Sequence, residues 1–118
     1  MKYYSEEKTE NLRRAFEETI LSWPKVSAKK MFGCPCYKAK NKLFAFFVTR
    51  GIVITQLTQA DREKLSTQYR TTVFHAGKKT IQNWVRVHLT DDSDLARIMP
   101  YVRRSYESVL AKAKKSQD

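Results

Sequence analysis

Four short β-prone runs crowded between Lys25 and Leu57 constrain this chain more than any other feature: Val26 to Phe32, Cys36 to Lys38, Leu43 to Val48 and Ile52 to Leu57. Turn chemistry separates them. Gly33 and Pro35 break the first pair, Lys40-Asn41-Lys42 makes a tight polar turn, and Arg50-Gly51 supplies a glycine for the next reversal. Links this short join neighbouring antiparallel strands, so the expected product is a meander.

Helical patterns flank the meander. Leu12, Ala15, Phe16, Ile20 and Trp23 recur at steps of three and four, with Glu6, Glu7, Glu10, Arg13, Arg14 and Glu17 mostly opposite them. Ser5 suits the cap of this first helix, and Pro24 stops it after Trp23. Thr58 caps a short second helix over Gln59 to Leu65. Residues Thr71 to Phe74 read as a weak strand followed by a turn at Gly77. Thr80 to Leu89 alternates cleanly, Ile81, Val85, Val87 and Leu89 on one side and Gln82, Trp84, Arg86 and His88 on the other. A last helix, capped by Asp92 or Ser93, carries an apolar stripe through Leu95, Ile98, Met99, Val102, Tyr106, Val109 and Ala113. Pro100 either kinks it or begins its main part, and the tail after about residue 113 is expected to fray.

The order α-β-β-β-β-α-β-β-α, with strands grouped, predicts an α+β fold: a two-layer sandwich, a mostly antiparallel sheet with helices on one face. At 118 residues the chain fits one domain, 1–118. Its longest apolar run, Leu43 to Val48, is far shorter than the roughly 20 residues of a membrane helix. No leader pattern follows Lys2-Tyr3-Tyr4, so the expectation is a cytoplasmic protein with no membrane partner.

Charge separates by segment. Residues 25–50 carry seven Lys and Arg and no Asp or Glu, which supplies most of the net +11. A field of that sign attracts phosphate, anionic lipid or an acidic protein. The acidic residues cluster in helix starts, where capping and dipole interactions account for them, and no Ser–His–Asp or paired-carboxylate arrangement can be read. Gly33, Gly51 and Gly77 are each isolated, so a phosphate-cradling loop is not expected. Enzymatic activity and a cofactor are not expected. Cys34-Pro35-Cys36 places two sulfurs on one side of a strand, a weak candidate for a thiol or metal site, since His75 and His88 offer no ligand spacing beside it. The alternative is two small apolar side chains filling space near the sheet.

Trp84, Arg86 and His88 form the most informative constellation. With helices on one face of the sheet they lie on the other, and together with Lys25, Lys29, Lys30, Lys38, Lys40 and Lys42 they compose a face suited to single-stranded nucleic acid: rings stack on bases while cations follow the backbone. Two further readings stay open. Trp84 packs under the last helix or in a homodimer interface while the lysines keep the protein soluble, or the domain is a protein-interaction module. Arg97, Arg103, Arg104, Lys112, Lys114 and Lys115 are nearly balanced by Asp91, Asp92, Asp94 and Glu107, which reads as a solvated helix face.

Lys29-Lys30-Met31-Phe32-Gly33, then Tyr37, then Leu43-Phe44-Ala45, with Trp84 and Tyr101-Val102-Arg103-Arg104-Ser105-Tyr106, resembles the N-terminal domain of the TfoX family over about residues 10 to 112. The resemblance implies a compact α+β domain with a cytosolic, regulatory setting and no catalytic residues to carry over. Where the family often has glycines after its Met-Phe-Gly, this chain has Cys34-Pro35-Cys36.

Overall fold

The computed structural model describes residues 6–31, 33–49, 51–76 and 78–116. Among them the chain runs α1 (Glu6–Ile20), β1 (Val26–Met31), β2 (Cys34–Ala39), β3 (Lys42–Val48), β4 (Gly51–Ile54), α2 (Gln59–Gln68), β5 (Thr71–Ala76), β6 (Lys79–His88) and α3 (Asp92–Ser116). The α+β class is borne out. All strand pairs are antiparallel in one sheet of order β1-β2-β3-β4-β6-β5.

Local chemistry sets the turns. Lys40 and Asn41 both take left-handed angles, φ 49° and 67°, between the paired Ala39 and Lys42. That is the two-residue hairpin geometry whose twist matches the flanking strands. Gly33 supplies φ 78° after β1. Pro35 does not break the next strand as expected: it lies in β2 opposite Lys30, and the ladder to β3 begins only at Cys36, so its missing N–H interrupts no bond there. The expected contributions of Ser5, Phe32, Arg50 and Gly77 lie outside the described residues.

Helix ends differ from expectation in two places. α1 stops at Ile20, because Ser22 and Trp23 turn their N–H groups to Thr19 and Ile20 and Lys25 adopts φ 68°. Asp91, rather than Asp92 or Ser93, caps α3: its Oδ1 accepts from the Asp94 N–H at 3.1 Å, while Asp94 reaches back to the Thr90 N–H at 2.9 Å. Thr58 caps α2 as expected, accepting from the Asp61 N–H at 3.2 Å. Pro100 sits inside a single helix that continues to Ser116.

The main core lies between the sheet and the helices. Phe16 and Ile20 of α1, Leu65 of α2 and Ile98, Val102 and Tyr106 of α3 meet Tyr37, Phe44, Phe47, Ile52, Ile54 and Val87 of the sheet. Tilted and edge-on ring pairs fix the contacts, Phe16 with Tyr37 at 5.0 Å and Phe44 with Tyr106 at 5.5 Å between centroids. Buried Ser105 bolts α3 to the sheet, donating to the Phe44 carbonyl at 2.7 Å and accepting from the Gln56 N–H at 3.0 Å. Removing its hydroxyl strands the Gln56 N–H, a cost of about 1–3 kcal/mol, while the Phe44 carbonyl keeps its bond from the Thr55 N–H at 3.2 Å.

A second, smaller cluster occupies the other face: Cys34, Cys36, Phe46, Val48, Val53 and Phe74, with Met31, Leu43, Ile81 and Trp84 packed against it. Phe46 on β3 and Phe74 on β5 stand three strand spacings apart, about 14 Å on a flat sheet, yet their ring centroids are 5.2 Å apart. The sheet therefore curls around this cluster. Ile81 belongs here and not with Val85, Val87 and Leu89, because a register shift between Val73 and Phe74 breaks the alternation and turns it to this side.

Candidate functional site

Strand alternation decides which predicted residues share a face. Val85 and Val87 of β6, and Leu89 directly after it, belong to the main core, so Trp84, Arg86 and His88 point to the helix-free side. Along β2, Tyr37 and Ala39 face the helices, and Cys34, Cys36 and Lys38 face away. Lys29 pairs with Cys36 and joins that face, as Met31 does.

One cross-strand row runs the width of the sheet: Lys29, Cys36, Phe46, Val53, Arg86, Thr72. Its centre is apolar and buried, and a cation stands towards each end. From β1 to β6 the row spans four strand spacings, about 19 Å before curling. One phosphate group cannot bridge that span, whereas a chain of phosphates can. Lys38 and His88 add positive or titratable groups above and below the row.

Other predicted residues fall elsewhere. Lys30 shares the helix side of β1 with Val26 and Ala28, and together with Lys29 on this edge strand it lines a cleft of about 690 Å3 that also holds Glu10, Arg13 and Glu17. In that cleft the Glu17 carboxylate already accepts from Tyr37 Oη at 2.7 Å and from Arg13 at 2.8 Å. Lys25, Lys40 and Lys42 gather at the hairpin end of the sheet, where the Lys40 N–H donates to the Lys25 carbonyl. All three are exposed.

Trp84 lies neither under α3 nor fully in the open. Its ring is half-buried, edge-on to Phe46 at 5.5 Å and tilted against Phe74 at 5.9 Å. Arg86 lies along the sheet: one terminal N–H donates to the Thr49 carbonyl at 3.3 Å, and its buried Nε has no hydrogen-bond partner. Beside it, residue 51 is glycine, where a Cβ would meet the Val87 carbonyl at 2.8 Å while touching Arg86 Nε at an ordinary 3.6 Å. Burial, and then Arg86 and Arg70, hold the His88 imidazole below its ordinary pKa.

The sheet carries no carboxylate. Among the described residues every Asp and Glu lies in a helix, except Asp91 directly before α3, whereas the strands hold Lys29, Lys30, Lys38, Lys42, Lys79 and Arg86. The ion pairs follow the same division: Arg13–Glu17, Arg14–Glu10, Arg103–Glu107 and Arg104–Asp61 all join helix residues. Four helix arginines are thus neutralised in place. Arg103 also covers the Trp23 and Tyr106 rings at 4.8 and 5.0 Å.

Cys34 and Cys36 are thiols buried in the second cluster. Burial pushes both thiols up; the neighbouring Cys36 adds to this at Cys34, while Lys38 and Lys29 oppose it at Cys36. Among the described residues no group of three or more His, Cys, Asp or Glu is placed to hold a metal. These sulfurs act as small apolar side chains packed against Phe46 and Val53. Among those residues, too, no helix is long and apolar enough to cross a membrane.

The second cluster was the feature sequence reasoning missed. Its signal was the unbroken run Leu43 to Val48: a strand with one wet face alternates, and one without alternation is buried on both. No family model matches this chain, and no curated protein or solved structure matches it.

Proposed function

We propose that this chain is a non-enzymatic, cytoplasmic binding domain with a regulatory or accessory role, a two-layer α+β module whose helix-free sheet face holds single-stranded nucleic acid. The carboxylate-free sheet carries the reading, because a surface whose cations have no internal counterions stays positive and is neutralised by an external polyanion. Lys29, Lys38 and Arg86 follow successive phosphates. Trp84, set at the rim of the apolar cluster, offers the exposed part of its ring to a base. Lys25, Lys40 and Lys42 extend the track at the hairpin end. The likeness to the TfoX N-terminal domain belongs to the same reading and rests on the motif residues alone.

The test compares two sets of charge removals in a fluorescence anisotropy titration with labelled oligothymidylate at low salt. Lys29→Ala, Lys38→Ala and Arg86→Ala together weaken binding by at least about tenfold, each lost phosphate contact removing a counterion-release contribution. Lys64→Ala with Arg97→Ala, on exposed helix positions, leaves it unchanged. Equal losses from both sets mean a non-specific cation and refute the assignment of this face.

A further inference from the structure

The two edges of the sheet are protected unequally. β1, at one end, carries Lys29 and Lys30, charges that discourage pairing with another strand. β5, at the other end, reads Thr-Thr-Val-Phe-His-Ala without a Lys, Arg, Asp or Glu. Its free edge also has receptive backbone. The Arg70 carbonyl accepts from the His88 N–H, which turns the Arg70 and Thr72 backbone groups towards β6 and those of Thr71 and Val73 outward.

Beside this edge lies a groove of about 240 Å3 lined by Arg62, Glu63 and Ser66 of α2 and by Thr71, Thr72, Val73 and Val85. It is smaller than the roughly 300–1,000 Å3 of small-molecule sites. Val73 lines it while 39% exposed, one of two large apolar side chains left in water among the described residues. A strand added along β5 puts alternate side chains into this groove, the arrangement in which backbone bonds give affinity and a pocket gives selectivity.

We infer that the β5 edge and the α2 groove capture an extended segment of another protein, apolar and β-branched at its centre and acidic at its ends. Charge selects this occupant. Exposed Arg70 precedes β5 and exposed Lys78 and Lys79 follow it, so a strand with terminal carboxylates meets a cation at both ends. A second copy of this chain is the poorer fit: antiparallel pairing of β5 with itself brings Arg70 of each copy towards the lysines of the other, in molecules of net charge +11.

The probe is a blocked peptide, Asp-Val-Thr-Val-Thr-Val-Asp, titrated calorimetrically and by amide spectra at low salt. Binding with new protection of the Thr71 and Val73 amides is expected, and replacing both Asp by Lys weakens it by at least about tenfold. Val73→Pro removes an outward N–H without touching the ladder to β6, so it abolishes binding while the melting temperature holds. Should that variant fail to fold, Val73→Asp keeps the N–H and opposes the acidic peptide; it too loses at least about tenfold. No binding by the peptide, undiminished binding to both Val73 variants, or β5-dependent self-association in sedimentation that excludes the peptide each overturns the inference.

Discussion

Trp84 meets Phe46 edge-on, their ring centroids 5.5 Å apart at 69°. The contact ties a strand near one edge of the sheet to the middle of the second cluster, and it gives the ring two roles that mutation separates. Trp84→Ala removes a half-buried aromatic and costs about 2 kcal/mol in urea unfolding. Trp84→Phe restores most of that stability, while a smaller ring face still leaves oligothymidylate binding weaker than in the parent protein. Full recovery of binding by Trp84→Phe, together with stability, means the ring is structural only.

Gly51→Ala tests the close approach of β4 to β6, the strand that carries Arg86. The added Cβ meets the Val87 backbone carbonyl, which cannot swing aside as a flexible side chain could, so a shift of β4 against β6 is required. A loss of about 1–3 kcal/mol in the urea midpoint is expected, as for overpacking elsewhere. Nucleic-acid affinity falls beyond that of an equally destabilised Leu65→Ala control, whose core site lies under α2. An unchanged midpoint contradicts the close approach.

Cys34 and Cys36 are expected to react slowly with a disulfide-exchange reagent. Burial holds both thiols in the neutral form, and the thiolate is the reactive species. At mildly alkaline pH the native protein reacts at least about tenfold more slowly than the urea-unfolded chain. Rapid labelling of either thiol in the native state sinks the account of them as packing groups.

Much of this fold was legible because its turns and caps are chemically explicit. Asn41 at φ 67° and Thr58 at a helix start are residue types selected for those places. Asp91 was harder to identify, since Asp91, Asp92 and Ser93 are all competent caps and only the geometry of α3 chooses among them. The face of Trp84, Arg86 and His88 followed from alternation alone, yet Ile81 did not, because a register shift is invisible in a period of two. Lys30 and Lys29 were indistinguishable by charge; pairing opposite Pro35 and Cys36 sends them to opposite faces.

His88 makes binding depend on pH. Its imidazole is held below the usual histidine value in the free protein, first by burial and then by Arg86 and Arg70, and is neutral at pH 7. A phosphate beside it favours the charged ring, so binding takes up a proton and affinity rises as pH falls from about 7.5 to 5.5. The fold responds with the opposite sign: the depressed value contributes stability above the unfolded pKa of about 6.5, which is lost as pH falls through the folded one. Anisotropy titrations at the two pH values, at constant salt, should show tighter binding in acid, and His88→Gln should remove most of the difference. A pH response untouched by His88→Gln places the titrating group elsewhere.

The salt dependence of oligothymidylate binding bears most directly on the acid-free sheet as a polyanion surface. Three or four cations on one face, each displacing a counterion from single-stranded nucleic acid, correspond to a slope of log affinity against log salt of about −2 to −3 between about 50 and 200 mM. That slope, halved or more by removing Lys29, Lys38 and Arg86 together, is the expected result. Absence of binding at the lowest salt, or a slope that ignores those three residues, contradicts it.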